Sequence, residues 1–278
     1  MKPSDLREML AAHGLDPVHA RGQNFLADDH VLDAVVAAAD LKPGEAVLEI
    51  GPGPGVLTEK LLAAGARVLA VEIDGRLQKL LVERFADAPG FTLLPGDILD
   101  FPSADLAARL GAGDRGYKIV ANIPYQITSK ILLKFLKEAP KPSQMVLMVQ
   151  REVADRLAAR PGDMSQIAVA AQVFAEVSKV MNVPRGAFLP PPKVDSAVIS
   201  LRLKGEAEIK DFFAGTTQEK YFSLVKSAFS SPRKKIRNTL PFPAATVEAA
   251  LKQIGVNPQA RPEELSVGDW QNLAKVIA

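Results

Sequence analysis

The feature that most constrains the fold is an alternation that begins near residue 30. Amphipathic stretches take turns with short, almost wholly apolar runs. "HVLDAVVAAADL" has helical spacing and closes on the turn "KPGE", and "AVLEIG" then reads as a buried strand. "VLTEKLLAAGA" is a helix that Gly65 is placed to end, "RVLAVEID" a second strand, "RLQKLLVERFA" a helix, and "FTLLPGDILD" contains a third strand. "YKIVAN" and "QMVLMVQ" give a fourth and fifth strand around the helix "SKILLKFLKEA", and "REVADRLAA" reads as helical. "EVSKVMNVP" and "SAVISLRL" are two more strands, joined by the Pro-rich "RGAFLPPPKVD". Strands alternating with helices of this length form βαβ units and a mostly parallel sheet. Helices on both faces of such a sheet explain runs such as "MVLMV". The expected class is α/β.

After Leu203 the pattern changes. "GEAEIKDFFAGTT" is expected to be a linker, while "EKYFSLVKSAF", "TVEAALKQIG" and "VGDWQNLAKVI" are helical in spacing. Ser266 and Asp269 are placed as a capping box opening the last helix. The expected organisation is one domain over residues 1–203 and a small all-helical domain over 204–278.

Composition narrows the chemistry. The absence of cysteine excludes disulfides, thiolate nucleophiles and Cys-bound zinc. His13, His19 and His30 do not pair with acids at metal-ligand spacing, so no metal site is expected. No apolar run approaches the ~18 residues of a membrane helix, and "MKPSDLREML" is not followed by a signal-type apolar core. A cytoplasmic protein is expected. The net charge of +2 says little, but its distribution says more. From Lys204 onward there are 11 Lys and Arg against 8 Asp and Glu, and before it 23 against 24. Arg233, Lys234, Lys235 and Arg237 crowd together in "SSPRKKIRNTL". Such a cluster is either a phosphate-binding surface or a solvated face, and four cations in five positions do not share one helical face.

"LEIGPGPGVLT" sets Gly51, Gly53 and Gly55 between the first strand and the next helix. Glycine admits a ligand close to the backbone, and a helix N-terminus favours negative charge. The spacing departs from G-x-G-x-x-G because Val56 holds the sixth position, which weakens a nicotinamide or flavin reading. A tight strand-to-helix connection is the structural alternative. Glu72 ends the second strand, 21 residues after Gly51, where a carboxylate accepts from ribose hydroxyls. Asp97, after the third strand, is placed to accept from an adenine amine, with Ile98 to cover the ring; Asp74 is the competitor for the Glu72 role. Three strand ends with ligand-ready groups point to one crevice for an adenosine-bearing ligand.

The fourth strand ends in "NIPY", Asn122 to Tyr125. Read as a turn, Asn and Pro favour the bend and Tyr125 plugs the core. Read with the crevice, the Asn122 side-chain oxygen and the Ile123 carbonyl accept from a planar exocyclic amine, Pro124 stiffens the backbone, and Tyr125 offers a stacking face. Acceptors fixed at that amine support the positive charge that grows as it attacks, without a general base.

"GQNFL", "EIGPGPGVLT", "GDIL", "NIPY" and "FLPPPKVDSAV" together resemble the ribosomal RNA adenine dimethyltransferases, within the class I S-adenosylmethionine-dependent methyltransferases of Rossmann-like fold. The match extends through "SPRKKIRNTL" and "RPEELS", and its length favours the branch acting on small-subunit RNA. The resemblance implies dimethylation of N6 on two adjacent adenosines in a hairpin loop near the 3′ end of 16S ribosomal RNA. The implied partner is an immature small ribosomal subunit, the implied cofactor S-adenosylmethionine, and a monomer is expected. It further implies that Asn24, Leu26, Gly51, Glu72, Asp97 and Asn122 contact the methyl donor, and Gly53 and Ile98 are grouped with them. Phe188 would stack on the target adenine opposite Tyr125. The basic cluster would grip phosphates, which position RNA without reading bases. The rivals are a large-subunit 23S RNA dimethylase of the macrolide-resistance type and a non-catalytic RNA-binding assembly factor.

Overall fold

The computed structural model describes residues 3–15, 24–113 and 116–277. Nine strands are present in the described residues: β1 (Phe25–Leu26), β2 (Ala46–Ile50), β3 (Arg67–Glu72), β4 (Phe91–Pro95), β5 (Lys118–Asn122), β6 (Gln144–Gln150), β7 (Ala175–Val183), β8 (Phe188–Leu189) and β9 (Ser196–Leu203). Seven of them form one sheet in the order β4-β3-β2-β5-β6-β9-β7, and β1 pairs with β8 in a separate ribbon. The strands from β4 across to β6 run parallel, and β9 is antiparallel to β6. Strand order reverses between β2 and β5. Open α/β sheets bind ligands at such a switch point, outside the carboxyl ends of the strands.

The inner strands are buried along their length, as their apolar runs require: every residue of β2 is buried, as are the last five of β3 and the first six of β6. The helix Asp29–Ala39 turns Val31, Leu32, Val35 and Ala39 inward. Each Val or Leu so buried contributes about 1.5–3 kcal/mol before chain entropy is set against it. Asp28 starts this helix by accepting from the Val31 N–H, and Asp40 ends it in the left-handed conformation at φ 45°.

Two compact units result. One comprises Met1–Ala154 and Ser178–Leu203; the other comprises Asp155–Val177 and Lys204–Ala278. The second is thus drawn from two stretches of chain, where the sequence reading places a single boundary after residue 203. Within it, Ser165 caps an unanticipated helix, Gln166–Phe174, which buries Ala168, Val169, Ala171, Val173 and Phe174. The helices read after residue 217 are present as Gln218–Phe229, Ala244–Gln253 and Val267–Val276. The Ser266–Asp269 capping box is formed, with Ser266 N–H donating to Asp269 Oδ2 at 2.9 Å and Asp269 N–H to Ser266 Oγ at 3.1 Å. The expected linker is corrected: Glu206–Phe212 is a helix. Glu208 closes its first turn by accepting from the Gly205 N–H at 2.8 Å, and Phe212 meets the buried Tyr221 edge-on.

Candidate active site

A cavity of about 300 Å³ opens at the carboxyl ends of β2, β3 and β5. That falls at the lower end of the range for small-molecule sites, about 300–1,000 Å³. It brings together Asn24, Leu26, Gly51, Gly53, Glu72, Asp97, Ile98, Asn122, Pro124 and Tyr125. These residues come from five separate segments of chain. Gly22 and Gln23 of "GQNFL", and His19, lie outside the described residues.

The glycine turn approaches its neighbours closely. Gly53 has φ +58°, and a Cβ there would lie 2.9 Å from the Phe25 ring; at Gly55, φ +80°, one would lie 2.5 Å from the Phe85 ring. Both positions therefore require glycine for conformation and for space. Arg84 fixes the turn from outside, donating to the Pro54 carbonyl at 2.6 Å and pairing with Glu59. Glu72 is buried at the end of β3. Its Oε2 accepts from the Gly53 N–H at 3.2 Å, and its Oε1 accepts from the Ile73 and Asp74 N–H groups, each at 2.9 Å. Burial holds its carboxyl above the ordinary range, opposed by those three backbone bonds. Asp74 is occupied elsewhere, capping the helix Gly75–Arg84 and pairing with Arg76. Asp97 caps the 3-10 turn Ile98–Asp100 by accepting from Leu99 N–H at 3.0 Å, and Ile98 is buried behind it.

On the other side of the switch point, Asn122 Nδ2 donates to the Asn24 carbonyl at 3.1 Å. That bond orients the amide. Its Oδ1 has no hydrogen-bond partner among the described residues and stays available to an incoming donor. Tyr125 follows in the 3-10 turn Tyr125–Ile127, half-buried, with its hydroxyl 2.7 Å from Ser196 Oγ. Burial raises its phenol above the usual value, opposed by the Ser196 bond.

Phe188 is placed differently. It is 4% exposed and does not line the cavity. The antiparallel ribbon sets it opposite the lining residue Leu26 and folds its side chain into the core. Glu49 is the lining residue that sequence reading passed over. It interrupts the apolar run of β2, it is 1% exposed, and Thr58 Oγ1 donates to it at 2.6 Å. Burial, opposed by the Thr58 bond, pushes its carboxyl up to about 8. A lone acid inside "AVLEIG" was the available signal.

The basic segment is not an α-helix; it is a turn leading into the 3-10 segment Ile236–Asn238. Arg237 is ion-paired with Glu248, and Lys235 Nζ donates to Gln259 at 2.7 Å. Arg233 and Lys234 are exposed.

A sequence model described as ribosomal RNA adenine dimethylase matches residues 19–278. The chain belongs to the ribosomal RNA adenine dimethylase family. It is similar to the ribosomal RNA small subunit methyltransferase A of Dehalococcoides mccartyi, 38% identical over 274 residues, which cover 97% of this chain and 91% of the relative. Among solved structures it resembles a dimethyladenosine transferase from Plasmodium falciparum, with a TM-score of 0.74 and 28% identity over 90% of this chain and 95% of that one. It also resembles the 23S rRNA methyltransferase ErmE, with a TM-score of 0.72 and 32% identity over 91% and 99% of the two chains. The fold is that of the class I methyltransferases, and this dimethylase uses S-adenosylmethionine. The cavity suits that cofactor: a buried carboxylate, Glu72, at one strand end of a switch-point crevice, a second carboxylate, Asp97, at the next, and an apolar wall that includes Ile98.

Proposed function

We propose that the chain dimethylates N6 of two adjacent adenosines in the hairpin loop near the 3′ end of 16S ribosomal RNA. It acts as a monomer on an immature small subunit in the cytoplasm. The observation that carries this reading is the Asn122 amide, anchored through Nδ2 and without a partner at Oδ1 among the described residues, in the cavity that Glu72 and Tyr125 also line. Relatives named for the small subunit, matched over nearly the whole chain, support the choice of RNA.

S-adenosylmethionine, when bound, supplies a methyl group already activated on a sulfonium. Glu72 would hold the ribose, Asp97 and Ile98 the adenine, and Asn24, Leu26, Gly51 and Gly53 the remaining wall. An exocyclic amine is a poor nucleophile because its lone pair is delocalised into the ring. Asn122 Oδ1 accepts from that amine and favours the nitrogen on which positive charge develops, a contribution of electrostatic preorganisation. The target base must leave its stack, at about a few kcal/mol. Stacking on Tyr125 returns roughly 1–3 kcal/mol. Phe188 is the proposed second stacking face, and its buried ring must be uncovered to serve. Arg233 and Lys234 position the RNA through phosphates.

The test is transfer of labelled methyl groups to immature small subunits and, separately, to naked large-subunit RNA. Labelled N6,N6-dimethyladenosine at two adjacent positions of 16S RNA is expected. Product on the large-subunit RNA alone would assign the activity to the 23S-directed type, and no product on either would leave a non-catalytic assembly factor.

A further inference from the structure

The Tyr125 hydroxyl ends on a buried serine that no part of the site described above requires. Ser196 is the first residue of β9 and is 0% exposed. It faces Gln150 across the antiparallel β6–β9 pair, so its backbone is fixed by the sheet. The rest of that strand's buried stretch is mostly apolar, running Ala197, Val198, Ile199, Ser200, Leu201. A hydroxyl buried at its head is costly unless it is bonded. Its side-chain partner is the Tyr125 phenol at 2.7 Å. The residue before it tightens the mount. The Asp195 carbonyl accepts from Arg151 N–H at 3.0 Å, and its carboxylate accepts from Arg151 Nη1 at 3.1 Å and Arg185 N–H at 3.2 Å. The strand start is thereby tied to the segments that follow β6 and β7.

Tyr125 has no comparable support of its own. Its 3-10 turn has no side-chain cap, and the Pro124 before it is exposed. For a half-buried ring on such a turn, a bond at its far end adds a second point that fixes its plane.

We propose that Ser196 is a positioning residue for methyl transfer: its hydroxyl, set by β9, holds the Tyr125 phenol and so fixes the ring plane against which the target adenine stacks. The proposal rests on the stacking role given to Tyr125 above. Misplacement of a reacting group by about 1 Å is worth up to about a hundredfold in rate, so a swinging ring slows transfer without touching the methyl-donor half of the cavity.

The experiment is a mutant cycle on the full chain, with Ser196→Ala, Tyr125→Phe and the double variant. Each is assayed for kcat on saturating immature small subunits and for S-adenosylmethionine Kd by calorimetry. The expected result is a fall in kcat of about tenfold or more in Ser196→Ala, a similar fall in Tyr125→Phe, no further fall in the double variant, and a cofactor Kd within about twofold of wild type throughout. A general packing defect would instead move the cofactor Kd and add to the Tyr125→Phe loss, and either result overturns the proposal. Tyr125→Ala separates the two levels. If it loses activity while Ser196→Ala and Tyr125→Phe retain it, the tether is wrong and stacking stands. If Tyr125→Ala transfers at the wild-type rate, the stacking reading falls and the tether with it.

Discussion

At the residue scale, the groups that reach the cavity were legible where they end strands. Glu72, Asp97 and Asn122 stand where an apolar run stops and a polar side chain follows, and the parallel sheet carries all such ends to one edge. Glu49 was not legible in this way because it lies within a strand, where a single acid is outweighed by its apolar neighbours. Its burial has a measurable consequence. The folded carboxyl titrates near 8 and the ordinary value is 4.5, so between these the folded state holds a proton that the unfolded chain has released. The associated stability is full below about pH 4.5 and is lost as pH rises toward 8. Glu49→Gln, which keeps an acceptor for Thr58, should flatten that decline. Melting temperatures of the two proteins across the window check it, and equal slopes would contradict it. Gly53 gives a second prediction. An added Cβ meets the Phe25 ring at 2.9 Å on a backbone at φ +58°, and the distorted turn shifts the N–H that Glu72 accepts. Gly53→Ala should weaken cofactor binding by about tenfold or more by calorimetry, and an unchanged Kd would show that the turn does not shape the site.

At the element scale, the βαβ alternation was readable because strands buried on both faces leave no polar face to confuse the pattern. The helix Glu206–Phe212 escaped because Gly205 at its start and two adjacent phenylalanines at its end break the amphipathic spacing, although Glu208 three residues after Gly205 was a capping signal. Gln166–Phe174 escaped because its stretch "IAVAA" is apolar at every position, which hides the helical period. The last helix, by contrast, was announced by its capping box and anchors through Trp270, which is 0% exposed, 6.1 Å from the Phe229 ring, and without a partner for its Nε1 among the described residues. Trp270→Ala should cost about 3–5 kcal/mol of stability. Trp270→Phe should cost distinctly less, since it removes a buried N–H that satisfies nothing. Urea titrations followed by circular dichroism separate the two; equal losses would mean that the indole nitrogen is in use.

At the scale of the whole molecule, charge clustering was visible in sequence but its division of labour was not. Arg237 serves Glu248 and Lys235 serves Gln259, which leaves Arg233 and Lys234 as the exposed pair. Replacing both with Ala should weaken RNA binding and make the plot of log affinity against log salt shallower by about 1.5, at roughly 0.7–0.9 for each phosphate no longer neutralised. An unchanged slope would move phosphate binding elsewhere. Among the described residues no helix is long and apolar enough to cross a membrane.

Methyl transfer is proposed to depend on the anchored Asn122 amide in the switch-point cavity that Tyr125 also lines. Single-turnover methyl transfer by Asn122→Ala, with cofactor and immature small subunits both saturating, tests it most directly. The expected rate is lower by about a hundredfold or more, in a protein that stays folded and binds RNA. Transfer at the wild-type rate would contradict it.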